Sequence, residues 1–252
     1  MSYTIAISGK GGVGKTTVAG LIVASLIRER RVPVLAVDAD PNTCLDGVLG
    51  VTVTKTVGGV REEAREIAGK GLSSGISKQQ LLELKIEESL IEAEDFDLIA
   101  MGRPEGPGCY CYANNVLKAT LARISSHYPF VVLDNEAGLE NLSRRIVQEI
   151  DLLIMVTDPS LRGLETVRRL YFLAKEMGIK HKRLLVVVNK LRDGSLPSNA
   201  EELRKTIQAD EVMGLQEDEE LADFAEEGKS LLRLSQANTS QLKLSEALNR
   251  YI

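Results

Sequence analysis

The feature that narrows this chain most is the run SGKGGVGKTT, which follows a β-branched apolar stretch at Thr4–Ser8 and opens a helical pattern. Gly9, Gly14, Lys15 and Thr16 satisfy G-x-x-x-x-G-K-[ST], with a strand before and a helix after as the motif requires. Glycines here let backbone N–H groups curl around phosphate oxygens, and the helix N-terminus adds its dipole. Gly11, Gly12, Val13, Gly14, Lys15, Thr16 and Thr17 are expected to form the cradle. Lys15 would reach the β- and γ-phosphates, and the Thr16 hydroxyl would ligate Mg²⁺.

The remainder alternates strand and helix. Strands are expected at Thr4–Ser8, Val34–Asp38, Asp97–Met101, Phe130–Asp134, Leu152–Thr157, Leu184–Asn189 and Glu211–Leu215. Most are near-continuous apolar runs, the pattern of parallel strands covered on both faces. Ser160–Met177 places Leu161, Leu164, Val167, Leu170, Ala174 and Met177 on one helical face. Ser77 with Gln80 resembles a capping box ahead of the apolar residues in Gln79–Ile91, and a short helix is expected around Glu62–Gly69. The pattern predicts one α/β domain over residues 1–252, a mainly parallel twisted sheet with helices on both faces, of the P-loop NTPase kind.

Composition removes several classes. A net charge of −5 argues against a nucleic-acid carpet binder. No apolar run approaches the 18 or so residues of a membrane span, and no basic segment leads into a long apolar one. A cytoplasmic protein is expected, with no nucleic acid and no membrane as partner. Its three cysteines, Cys44, Cys109 and Cys111, are then thiols rather than disulfides.

Four further segments carry chemistry. "VLAVDADPN" puts Asp38 and Asp40 at the carboxyl end of a strand, where open α/β sheets bind ligands. "FVVLDNEAG" ends the fourth expected strand with Asp134 and Gly138 as D-x-x-x-G. "VVVNKLRD" offers Asn189 and Lys190, but Asp193 comes one residue late for a guanine signature, so adenine is favoured. In "PEGPGCYCYANN", Cys109 and Cys111 leave one residue between them; an extended segment would point both thiols to one face. Two thiolates half-fill a tetrahedral site, and neither His127 nor His181 stands where a third ligand is needed. Cys44, beside Leu45, reads as a packed thiol.

The second lysine of KGGVGKTT, Lys10, resembles the deviant Walker A loop of the dimerising ATPases typified by MinD, ParA and the nitrogenase iron protein. That resemblance implies a homodimer driven by ATP or metal, with Lys10 crossing to the partner's nucleotide as a catalytic residue beside Lys15. It makes Asp38–Asp40 the first switch, with Asp40 polarising the attacking water and Asp38 in the outer magnesium shell. Asp134 would hold a magnesium-bound water, and Gly138 would offer an N–H to the γ-phosphate. Asn189 and "GLQEDEELADFAEEGKSL" would flank adenine.

"KGGVGKTT", "VDADPN", "CYC", "DNEAGLENLSRR" and "EEGKSL" together resemble the CooC-type nickel-insertion ATPases of carbon monoxide dehydrogenase, over essentially the whole chain. Asn141 departs from that pattern, in which relatives carry His. By this resemblance two C-x-C pairs meet on a two-fold axis and hold Ni²⁺ or Zn²⁺ for delivery to the client enzyme. Three alternatives stay open: a maturation ATPase for acetyl-CoA synthase, an iron–sulfur carrier or reductase, and a MinD/ParA-like positioning ATPase.

Overall fold

The computed structural model describes residues 2–70, 75–103, 111–138 and 149–252. One eight-stranded sheet organises them, ordered β3-β4-β2-β5-β1-β6-β7-β8. Its strands are β1 (Tyr3–Gly9), β2 (Val34–Asp38), β3 (Ile91–Glu92), β4 (Phe96–Ala100), β5 (Phe130–Asp134), β6 (Ile150–Thr157), β7 (His181–Leu191) and β8 (Glu211–Gln216). Every pairing is parallel except that of β3 with β4. The seven expected strands are all present. The two-residue β3 is too short to leave a periodic signal.

Both faces of the sheet are apolar, which explains the continuous runs. Ile5 and Ile7 pack toward one face and Ala6 toward the other; Val34 and Ala36 oppose Leu35 and Val37 in the same way. The first face is covered by α1 (Lys15–Arg28), α2 (Leu45–Leu49), a 3₁₀ turn at Leu231–Arg233 and the C-terminal helix Thr239–Leu248. The other is covered by α3 (Val57–Lys70), α4 (Lys78–Glu87), α5 (Cys111–Ser125), α6 (Leu161–Glu176) and α7 (Ala200–Ile207). Each fully buried Ile or Leu contributes about 1.5–3 kcal/mol. An exposed acidic helix, α8 (Glu219–Glu227), follows β8, and Thr239–Leu248 is α9.

Local signals are realised closely where they are strong. The Ser77 hydroxyl accepts from Gln80 N and the Gln80 side chain accepts from Ser77 N, closing the capping box of α4. Ser160 caps α6 through Gly163 N at 3.0 Å. Leu164, Val167 and Ala174 of that helix are buried as expected, but Leu161 is 74% exposed. Helical side chains lean toward the N-terminus, so a residue at the first helical position projects beyond the turn that packs on the sheet.

The helix expected at Glu62–Gly69 begins earlier, at Val57. Gly58 and Gly59 conceal its start in the sequence. A Cβ at Gly58 would run into the carbonyl oxygen of Arg103, so glycine there answers a tertiary contact and not a turn.

Candidate nucleotide site

The strand order reverses at β1, with β2 and β4 on one side and β6, β7 and β8 on the other. Ligands of open α/β sheets bind outside the carboxyl ends at such a point. β1 ends at Gly9, and the loop Lys10–Gly14 leads directly into α1. Gly14 is the N-cap of that helix, at φ +93°, where a Cβ would also strike the Asn189 amide. Lys15 is buried and its Nζ donates to the carbonyl of Lys10 at 3.2 Å, whereas Lys10 itself stands exposed on the rim.

Register brings the two acidic strand ends together. Asp38 pairs with Asp134 across β2 and β5, and Asp134 pairs with Ile7 across β5 and β1. Their environments differ. Asp38 is fully buried but well supplied: Oδ1 accepts from Asp40 N at 3.0 Å, and Oδ2 accepts from Cys44 N and Leu45 N at 2.9 Å. It thereby moulds the loop 40–45 and caps α2. Burial still pushes its pKa up, against the pull of those three amides. Asp40 is half-buried, and its Oδ1 accepts from Asn42 N at 2.8 Å.

Asp134 is 1% exposed, and neither carboxylate oxygen has a hydrogen-bond partner of full geometry among the described residues. Burial pushes its pKa up to about 7, with Asp38 and Asp40 adding to the rise. The Thr16 hydroxyl and the Lys15 ammonium lie near enough to oppose it. An unpartnered buried carboxylate beside a phosphate-loop threonine is a donor set suited to a hard cation such as Mg²⁺.

β7 contributes from the other side. Its register with β8 shifts between Val188 and Leu191, and the strand runs past its expected end at Asn189 to Leu191. Asn189 Nδ2 donates to the carbonyl of Val13 at 2.9 Å, and Lys190 Nζ donates to that of Gly12 at 3.1 Å. Both residues therefore brace the underside and rim of the loop. Asp193 accepts from Ser195 N in a turn of its own. Asp218 caps α8 through Leu221 N.

The switch-like segment after β5 touches β1 directly. Asn135 donates to the Ile7 carbonyl from its backbone at 3.2 Å and its side chain at 2.7 Å. Gly138 N donates to the Gly9 carbonyl at 3.2 Å, and the Ser8 hydroxyl donates to the Gly138 carbonyl at 2.8 Å. Sequence reasoning passed over Ser8 and Asn135, because a strand-end serine and an asparagine after an aspartate carry no distinguishing signal.

The thiols are distributed unequally. Cys44, expected to be packed, is exposed. Leu45 and Leu49 supply the buried face of α2, leaving Cys44 at its N-cap outside. Cys109 and Asn141 lie outside the described residues. Cys111 is the first residue of α5, so the backbone there is helical and not extended. His181 opens β7 at the sheet's amino end rather than sitting in the loop before it, and His127 lies just ahead of β5. Neither belongs to the carboxyl edge. Among the described residues no group of three His, Cys, Asp or Glu is placed to hold a metal ion, and no helix is long and apolar enough to cross a membrane.

The chain is similar to known proteins. An uncharacterized ATP-binding protein of Methanocaldococcus jannaschii is 40% identical over 252 residues, covering 98% of each chain. The carbon monoxide dehydrogenase accessory protein CooC of Rhodospirillum rubrum is 30% identical over 203 residues, covering 74% of each. The septum site-determining protein MinD of Pyrococcus horikoshii, solved with Mg-ADP, superposes with a TM-score of 0.66 at 21% identity, covering 99% of this chain and 97% of that one. The profile of the CobQ/CobB/MinD/ParA nucleotide binding domain (CbiA) matches residues 4–232. With its phosphate loop, strand order and acidic strand ends in place, the chain belongs to the CobQ/CobB/MinD/ParA family of P-loop, nucleotide-binding ATPases.

Proposed function

We propose that this chain is a dimeric ATPase that carries a nickel or zinc ion, bound through Cys109 and Cys111 of two subunits, to carbon monoxide dehydrogenase. The observation that carries the ATPase part is the buried carboxylate of Asp134 beside Thr16 and the phosphate loop, with no hydrogen bond of full geometry among the described residues. Asp134 and Thr16 would hold Mg²⁺, directly or through water, with Asp38 behind them. Magnesium, when bound, screens and aligns the β- and γ-phosphate oxygens. Gly11–Thr17 wrap the phosphates, Lys15 turns from the Lys10 carbonyl to the γ-phosphate, and Asp40 orients water for in-line attack. Asn189 keeps the loop shaped for the nucleotide and flanks the adenine. Lys10, exposed on the rim, is available to a second subunit.

The metal-carrying part is supported by the likeness to CooC and by topology. β4 lies beside β2, with Ala100 paired to Asp38, so the segment that leaves β4 toward Cys109 and Cys111 departs next to the first switch. Thiolate sulfur suits both Ni²⁺ and Zn²⁺, which here are cargo. Metal that favours closure must tighten ATP binding to the same extent, typically by about 1–3 kcal/mol.

The test uses anaerobically purified protein. Replacing Cys109 and Cys111 by Ala is expected to abolish stoichiometric metal binding by elemental analysis while ATP hydrolysis persists. Full metal retention in that variant ends the thiolate proposal. Lys10→Ala is expected to elute as a monomer with a non-hydrolysable ATP analogue, and an unaltered dimer counts against the crossing lysine.

A further inference from the structure

We propose that Ser8 is a positioning residue: it latches the second switch against β1 until a γ-phosphate draws the switch away. This rests on the reading that the Gly138 amide serves the γ-phosphate. Ser8 is the last side chain of β1 before Gly9 and is fully buried. Its hydroxyl donates to the Gly138 carbonyl at 2.8 Å, while the Gly138 N–H donates to the Gly9 carbonyl at 3.2 Å. The two glycines form an isolated antiparallel bridge. Gly138 is thus pinned on both sides, by its N–H and by its C=O, to the end of β1 just ahead of the phosphate loop.

An N–H has one hydrogen. While it is given to Gly9 it cannot be given to a phosphate oxygen. The 3.2 Å bond is the weaker of the pair, at the long end of the N–H···O range. A phosphate oxygen is charged, and a charge-assisted bond is roughly twice as strong as one to a neutral carbonyl. The γ-phosphate therefore wins the N–H, provided the Ser8 bond also lets go. Gly138 sits at φ +100°, and among the described residues nothing lies within 4 Å of the place where its Cβ would stand, which leaves room for the movement. Asn135 holds the base of the segment to Ile7 independently, so only its tip needs to swing. ADP makes no claim on Gly138 and leaves the latch shut. Ser8 accordingly sets the energy difference between the ADP-like and ATP-like switch, and any ligand's preference for one state acts against that difference.

The test compares dissociation constants for Mg²⁺ with a non-hydrolysable ATP analogue and for Mg²⁺ with ADP, in the full chain. Ser8→Ala is expected to tighten the ATP analogue about fivefold, equivalent to about 1 kcal/mol for one neutral hydrogen bond, and to leave ADP unchanged. Ser8→Thr restores the wild-type ratio. Should its extra methyl unfold the chain, Ser8→Cys replaces it and is expected to fall between wild type and Ser8→Ala. An unchanged ratio in Ser8→Ala, or equal changes for both nucleotides, overturns the latch while the ATPase reading stands. A wild-type chain that binds neither nucleotide overturns both.

Discussion

Asp134→Asn isolates the electrostatic burden of the site. The wild-type carboxyl is raised from 3.8 to about 7 by burial. The folded chain therefore holds this proton more tightly than the unfolded chain, which gives it up first. Stability from this group is lost as pH rises from about 4 to about 7. At about 1.36 kcal/mol per pH unit, the loss amounts to about 4 kcal/mol. The side chain is 1% exposed, so water screens little of it. Asparagine keeps the shape and carries no charge, so the metal-free variant should gain on wild type across that window. Removing the charge also relieves Asp38, its partner across β2 and β5, which works in the same direction. The assay is thermal unfolding in chelator, wild type against variant, from pH 4.5 to 8. For a chain of this size about 4 kcal/mol corresponds to roughly 10 °C in Tm. The gap should open with pH, and saturating Mg²⁺–ATP should reverse it by stabilising wild type alone. A gap that is the same at pH 4.5 and pH 8 refutes the reasoning.

Three other substitutions probe the supports of the site. Asp38→Ala strands the amides of Asp40, Cys44 and Leu45; a loss of about 2–4 kcal/mol by denaturant melt is expected, with new proteolytic cleavage in the loop 40–45. Asn189→Ala removes the bond to the Val13 carbonyl and should weaken ADP and ATP alike by about fivefold in calorimetry. Gly58→Ala should destabilise the chain by about 1–3 kcal/mol in chemical denaturation, because the new methyl meets the Arg103 carbonyl. Helix propensity alone predicts the opposite sign, a gain of about 1 kcal/mol.

That sign conflict marks where sequence reading ends. The phosphate loop, seven strands, the capping box at Ser77 and the α6 face were legible because each depends on residues close together in the chain. Local composition sets backbone preference, and a two-face apolar run has few ways to be buried. The start of α3, the exposed Leu161 and Cys44, and the bracing role of Lys190 were not legible. Each depends on a neighbour distant in sequence or on where a helix ends relative to the sheet.

The sequence by itself determined a phosphate-binding α/β chain with acidic strand ends, since motif and periodicity are short-range properties. Only the tertiary structure decided how those acids divide their work. Strand register sets Asp38 beside Asp134, and backbone amides satisfy the first while burial isolates the second. Identical side chains thus acquire different chemistry from their surroundings, which no spacing along the chain encodes.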